Sequence, residues 1–229
     1  MEDEAGVWHA LQHRDRLYRV RLWVPNDPNS YLRKLVVAID GEFPALEHLF
    51  LGFRTKSDTR SSLSLRDTFR ASRLRHLIFI HVPFPVASSL LTTAVGLVTL
   101  SLNFVPHHPY DLLGQLLLMP HLETLEISRY FHLSTHDSEV HQLHAPRLKH
   151  VALANLRWFG FKGPSVYLEA LLSGMTTPLL EKLQITFFTQ RTFSVPFLRQ
   201  YISKSDNLNV SSVKFSFTSG GCFRVGIFP

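Results

Sequence analysis

Leu46-Glu47-His48-Leu49-Phe50-Leu51 is the clearest copy of the phrase that decides how this chain folds. Its form is apolar, two variable residues, apolar, one variable residue, apolar. The last two apolar positions lie two apart, so in an extended segment they share one face. Leu49 and Leu51 therefore point inward, and His48 and Phe50 point the other way. The phrase returns at Leu17-Val20-Leu22, Leu74-Leu77-Phe79, Leu97-Leu100-Leu102, Leu122-Leu125-Ile127, Leu148-Val151-Leu153, Leu180-Leu183-Ile185 and Val210-Val213-Phe215. The eight copies are separated by steps of 29, 28, 23, 25, 26, 32 and 30 residues.

A strand phrase returning at steps of roughly 20–29 residues marks a leucine-rich repeat, with one strand and one convex-side element per unit. A single unit cannot bury its own apolar face, so neighbours must stack. The expected fold class is therefore α/β, a leucine-rich-repeat solenoid of about eight irregular strand–helix units. Its strands are expected to run parallel, in sequential order, along one curved sheet. Their centres should fall near residues 20, 49, 77, 100, 125, 151, 183 and 213.

The segments between phrases read mostly as short helices. Tyr31–Asp40 carries Leu32, Leu35, Val36 and Ile39 at helical spacing, and Pro109–Met119 carries Leu112, Leu113, Leu116 and Leu117. Pro164–Ser173 begins with a proline suited to a first turn and stops at Gly174. Ser194 is the expected N-cap of Val195–Ser203. Ser88–Val95 and Leu65–Phe69 are weaker candidates. Pro44, Pro120, Pro146 and Pro178 each sit two residues ahead of a phrase, where proline bars the preceding residue from helical geometry. The asparagines Asn103 and Asn155 fall at different offsets, so no regular asparagine position follows the strands. The longest loop is expected after Leu153. Residues 1–16 read as a short N-terminal segment, 17–217 as the repeats and 218–229 as a C-terminal tail.

Composition sets bounds. The chain has 229 residues, 45% hydrophobic and 18% charged, as in a folded globular protein. No run approaches the ~18 apolar residues of a membrane helix. The acidic start Met1-Glu2-Asp3-Glu4 is unlike a secretory signal. Cys222 is the lone cysteine, so no intramolecular disulfide forms and an intracellular home, cytoplasmic or nuclear, is expected. The net charge is +6, and arginines at 14, 16, 19, 21, 70, 73 and 75 supply much of the excess. That charge suits either a solvated surface or an acidic partner. No nucleic-acid-binding module accompanies it.

Several phrases carry a family resemblance. Thr92–Leu100, Met119-Pro120-His121-Leu122-Glu123-Thr124-Leu125, Leu156–Phe161 followed by Tyr167–Leu172, and Thr177-Pro178-Leu179-Leu180-Glu181-Lys182-Leu183 resemble the F-box/leucine-rich-repeat-like proteins of mushroom-forming fungi. The likeness covers Ala10 to Phe217. It implies repeats that hold the substrate of a cullin-type ubiquitin ligase, preceded by a three-helix F-box that docks on the ligase's small adaptor subunit. No stretch before Leu17 reads as an F-box and none carries L-P-x-E. The expectation is that the adaptor-binding half is missing, through truncation, an incomplete gene product or divergence. The adaptor becomes a partner only if an F-box lies upstream.

The sequence carries no motif of known chemistry. His132, His136, His141 and His144 cluster without a thiolate at irregular intervals, and His107-His108 are adjacent. They read as loop histidines rather than a zinc site. No nucleophile elbow, metalloprotease helix or phosphate-binding loop occurs. The expectation is a non-enzymatic protein with no metal and no cofactor. Trp158, Phe159 and Phe161 could form a ligand patch, but core filling is the preferred reading. The outward strand positions remain. Arg19, Arg21, Trp23, His48, Phe50, His76, Ile78 and Ile80 make the first three units basic, aromatic and apolar, whereas later units offer small polar residues. Aromatics and arginines dominate binding hot spots, so this end is the candidate protein-binding face, with an acidic partner. The competing reading is an interface with a missing N-terminal domain.

Overall fold

The structure is a computed structural model that describes residues 4–24, 37–53, 69–82, 90, 93–104, 108–129, 150–187, 195–205, 207–208, 212–217 and 223–228. It is a mixed α/β protein whose described residues form two compact units, Met1–Pro106 and His107–Pro229.

The N-terminal unit starts with helix α1 (Glu4–Gln12) and a short 3-10 turn at Arg14–Arg16. Four strands follow: β1 (Arg19–Val24), β2 (His48–Phe53), β3 (His76–Ile80) and β4 (Thr99–Asn103). They pair in that order, all parallel. Each coincides with a phrase. The register aligns Val20 with Leu49, Leu77 and Leu100, and Leu22 with Leu51, Phe79 and Leu102. These side chains are buried from β2 to β4, while in β1 Leu22 is only half-buried. An interior strand has neighbours on both sides; β1 pairs with β2 alone among the described residues.

One turn recurs ahead of the strands. The first leucine of each phrase donates its N–H to the carbonyl three residues back: Leu46 to Phe43 (3.3 Å), Leu74 to Ala71 (3.1 Å) and Leu97 to Ala94 (3.1 Å). A second recurrence links neighbours. The carbonyls of Tyr18, Glu47 and Arg75 each accept two consecutive N–H groups from the start of the next strand, at 2.8–3.2 Å. On the other side of the leucine turns, Glu42 and Arg70 form a parallel bridge, and Phe43 and Phe69 pack with ring centroids 5.2 Å apart. Most of the expected helix over 31–40 and all but Phe69 of that over 65–69 lie outside the described residues.

The C-terminal unit has helices α2 (Pro109–Leu116), α3 (Ser165–Ser173) and α4 (Pro196–Lys204), with α2 packed on α3 and α3 on α4. Its strands are β5 (Thr124–Ser128), β6 (Val151–Ala152), β7 (Trp158–Gly163), β8 (Met175–Thr176), β9 (Lys182–Phe187), β10 (Ser212–Phe217) and β11 (Phe223–Phe228). Here three expectations need correction. Val151 was expected at the centre of the sixth strand beside Leu125. It instead sits in β6, which pairs only with β8 in a separate two-stranded parallel ladder. The strand beside β5 is β7, carrying Leu156-Phe159-Phe161 as its apolar phrase. The leucine turn marks the true start, since Leu156 N–H donates to the Leu153 carbonyl at 3.2 Å. The long spacing therefore precedes β7, between the turns closed at Leu122 and Leu156, rather than following Leu153.

The third correction concerns the end of the chain. The strand at 213 was expected to pair in parallel with the strand at 183. Instead β11, from the supposed tail, lies between β9 and β10 and runs antiparallel to both. A turn ahead of β10 is closed by Leu208 on Ser205 at 3.0 Å, two residues before the expected Val210.

The helices end nearly where their caps suggested, with one exchange. The residue before α4 is Val195, which cannot cap, and the Glu169 carboxylate on α3 accepts the Phe197 and Leu198 N–H groups at 2.7 and 3.0 Å. An anion there satisfies orphan donors at a helix start. Asn155, which looked out of register, donates to the carbonyl of Pro120 in an earlier turn at 2.8 Å, and Asn207 donates in the same way to Pro178 at 2.7 Å. Among the described residues no helix is long and apolar enough to cross a membrane.

Candidate functional site

Alternation along a strand sends every second side chain to the face opposite the core, and parallel pairing brings equivalent positions side by side about 4.8 Å apart. In the N-terminal unit this builds three rows. The first is Arg19–His48–His76–Thr99, the second Arg21–Phe50–Ile78–Ser101 and the third Trp23–Gly52–Ile80–Asn103. All eight residues named from the sequence as a binding face thus lie side by side on one surface.

In the first row the His48 and His76 imidazoles stack with centroids 4.4 Å apart and planes 6° from parallel. Tyr18 closes the row, its hydroxyl 3.3 Å from His48 Nε2 and its ring edge-on at 5.3 Å. The Arg19 guanidinium lies over the Tyr18 ring at 6.0 Å. The sequence reading missed Tyr18, because one step before Arg19 strict alternation would turn it inward. It precedes the strand and is half exposed.

The second and third rows share an aromatic cluster. Trp23 stacks on Phe50 at 5.8 Å, and the Arg21 guanidinium lies over the Phe50 ring at 5.0 Å. Gly52 makes the Trp23 pose possible. A Cβ there would come within 2.4 Å of the indole, so the ring lies across bare backbone. Trp23 remains 50% exposed. Such Arg–aromatic contacts hold a guanidinium in place while leaving its N–H edges for an anion. Just past the strand ends, His81 and Phe104 both adopt φ of 58° and stack at 4.8 Å. The left-handed region is uncommon for residues with a Cβ. The His81 N–H donation to the Asn103 carbonyl at 2.8 Å helps hold it.

Electrostatics follow the geometry. Burial is the main reason the His76 pKa falls below its ordinary value; His48, Arg75 and Arg19 push the same way, and Glu47 opposes them. Burial also lowers that of His81. The arginine excess does not form one patch. Arg14 donates to the Ala38 carbonyl at 3.2 Å and covers Phe43, and Arg16 lies 3.6 Å from Asp15. Arg19 and Arg21 are the two on the face.

The equivalent face of the C-terminal unit is different. Its rows are Thr124–Trp158–Lys182, Glu126–Gly160–Gln184 and Ser128–Lys162–Thr186. On β7 this face is made by Trp158, Gly160 and Lys162. Phe159 and Phe161 are core residues of β7, whereas Trp158 lies on the opposite face and is half-buried. Behind the sheet, the Tyr167 hydroxyl is buried with no hydrogen bond of acceptable geometry, and burial raises its pKa to about 12. The Arg129 guanidinium, 4.3 Å from the centroid of that ring, opposes the shift.

Among the described residues no three His, Cys, Asp or Glu side chains converge as a metal site. The cluster His132, His136, His141 and His144 lies outside those residues, as does His107. No protein-family model and no curated protein matches this sequence.

Proposed function

We propose that this chain is a leucine-rich-repeat solenoid acting as a non-enzymatic protein-interaction scaffold, similar to the substrate-holding repeats of an F-box ubiquitin-ligase adaptor. The observation that carries the reading is the continuous face of Arg19, Arg21, Trp23, His48, Phe50, His76, Ile78 and Ile80 across three registered strands. Exposed aromatics and held guanidiniums make a hot spot for a polypeptide with acidic groups and an apolar anchor. A protein segment fits better than nucleic acid. Trp23 and Phe50 already stack on each other, and Ile78 and Ile80 offer aliphatic surface on which a base gains less than on a ring. The site is proposed to work inside the cell and without cofactor or metal. The ligase adaptor subunit joins the partners if an F-box stands upstream; a free-standing repeat module is the alternative.

Selection from a displayed peptide library tests this. Wild-type chain should enrich acidic peptides with one large apolar residue, and a Trp23→Ala chain should enrich them far less. Enrichment without acidic bias, or enrichment unchanged by Trp23→Ala, overturns the assignment of the face.

A further inference from the structure

We propose that Arg19, His48 and His76 form a carboxylate-binding row in which capture of an acidic segment is coupled to proton uptake by the stacked imidazoles. This rests on the reading of the face as a protein-binding surface, and it adds what that reading lacks: the ligand group and a dependence on pH.

The geometry sets up the coupling. Two imidazoles 4.4 Å apart and nearly parallel cannot both be charged without direct repulsion. The groups that bear on them are Tyr18 and Arg19 on the β1 side, Glu47 before β2, and Arg75 before β3. The fourth position in the row is Thr99, which carries no charge. Two arginines thus face one carboxylate around the pair, and that balance favours the neutral His76 imidazole until a further anion arrives. Tyr18 shares a hydrogen bond with His48 Nε2, which orients that ring.

A carboxylate arriving over the row reverses the balance. It pairs with the Arg19 edge and favours the protonated form of either imidazole. Binding then takes up a proton, and by linkage affinity rises as pH falls through the histidine range. Histidine is the residue that makes this happen near neutrality; a lysine row would stay charged and show no such dependence. The second and third rows supply the apolar anchor site at Phe50, Ile78 and Trp23, and they are indifferent to pH.

The test uses a fluorescein-labelled hexaglutamate peptide ending in two leucines, with binding to the full chain followed by anisotropy. Glutamates stay ionised at both test values, since their ordinary pKa is about 4.3. Wild type should bind at least about threefold more tightly at pH 5.5 than at pH 7.5. The ceiling is set by linkage: a carboxylate that strengthens a histidine's hold on its proton about tenfold binds the protonated row about tenfold more tightly than the neutral one. In His48→Gln/His76→Gln the ratio between the two pH values should fall to near one. NMR titration should show the His76 pKa rising when the peptide is added. A pH ratio that persists in the double variant, or an imidazole pKa that the peptide does not move, overturns the proton coupling while leaving the face intact. Arg19→Glu/Arg21→Glu separates the two levels. If it leaves peptide binding unchanged, the face itself is misassigned. Tighter binding of a single-stranded oligonucleotide than of the peptide overturns the carboxylate assignment in favour of phosphate. Circular dichroism of each variant confirms that it is folded.

Discussion

The two units treat the same sequence phrase differently. In the N-terminal unit every phrase lands on the strand it predicts, and β1 to β4 pair in chain order. In the C-terminal unit Val151, the middle residue of one phrase, is drawn off to the β6–β8 ladder, and β7 with Phe159 and Phe161 takes the expected place in the larger sheet. The difference teaches that apolar spacing identifies residues that will be buried but not the ladder they join. Val151, Leu153, Phe159 and Phe161 are all buried. What separates them is the turn at Leu153–Leu156, which fixes where the strand of the larger sheet begins.

The largest expected effect breaks or upholds that distinction directly. Phe159→Ala removes a ring with no exposure from β7 and should lower stability by about 3–5 kcal/mol. Val151→Ala, on the two-residue ladder, removes two methyl-sized groups and should lower it by about 1.6 kcal/mol, at about 0.8 kcal/mol per buried group. Denaturant melts measure both, and equal losses would mean that the two ladders matter alike.

The next effect is specific to the helix layer of the C-terminal unit. Buried Thr177 and Tyr201 share a hydroxyl–hydroxyl hydrogen bond, and burial raises the Tyr201 pKa. Thr177→Val should lower stability by about 1–3 kcal/mol, because it strands the tyrosine hydroxyl. Adding Tyr201→Phe should recover most of the loss, since no buried donor is then left alone. A double variant as unstable as the single one would show that packing, not the hydrogen bond, is at stake.

The glycines sharpen the comparison between the faces. Gly52 lies under Trp23 from the adjacent strand, and Gly160 lies under Trp158 from its own strand. Gly52→Ala should change stability by less than about 1 kcal/mol, because the clashing group is an exposed side chain free to swing away. It should nevertheless shift tryptophan fluorescence and weaken partner capture. Gly160→Ala should move the Trp158 signal without affecting capture. Capture lost in both variants would overturn the assignment of capture to the N-terminal face alone.

The smallest effect is the acid response of the N-terminal unit. His76 has a folded-state pKa below 6.5, so below that pH the unfolded chain binds the proton first. Its contribution is full above pH 6.5 and is lost as pH falls toward the folded value. A thermal scan of His76→Gln should therefore show a shallower drop in Tm below pH 6.5 than wild type. An unchanged slope would assign the acid response to His81, which burial shifts in the same direction.

The sequence by itself determined the strand phrase, the parallel class of most pairings, the buried residues of β2 to β5 and β9, and the eight residues of the N-terminal face. All of these follow from local alternation and from the need of a one-sided strand to find a neighbour. The prolines at 44, 120 and 178 likewise announced the turns in which they sit. Tertiary structure decided the rest. Whether Val151 or Phe159 entered the larger sheet depended on a turn hydrogen bond and on which neighbour offered a free edge, and neither is written in spacing. The insertion of β11 depended on an open edge at β9 that the last ten residues could reach. Glu169 became the cap of α4 because two helices packed and brought it to Phe197, 28 residues away in sequence. The stacking of His48 on His76 and of Trp23 across Gly52 required a register that only pairing creates. Local chemistry sets which side chains face outward, and contacts between distant segments set what those side chains touch.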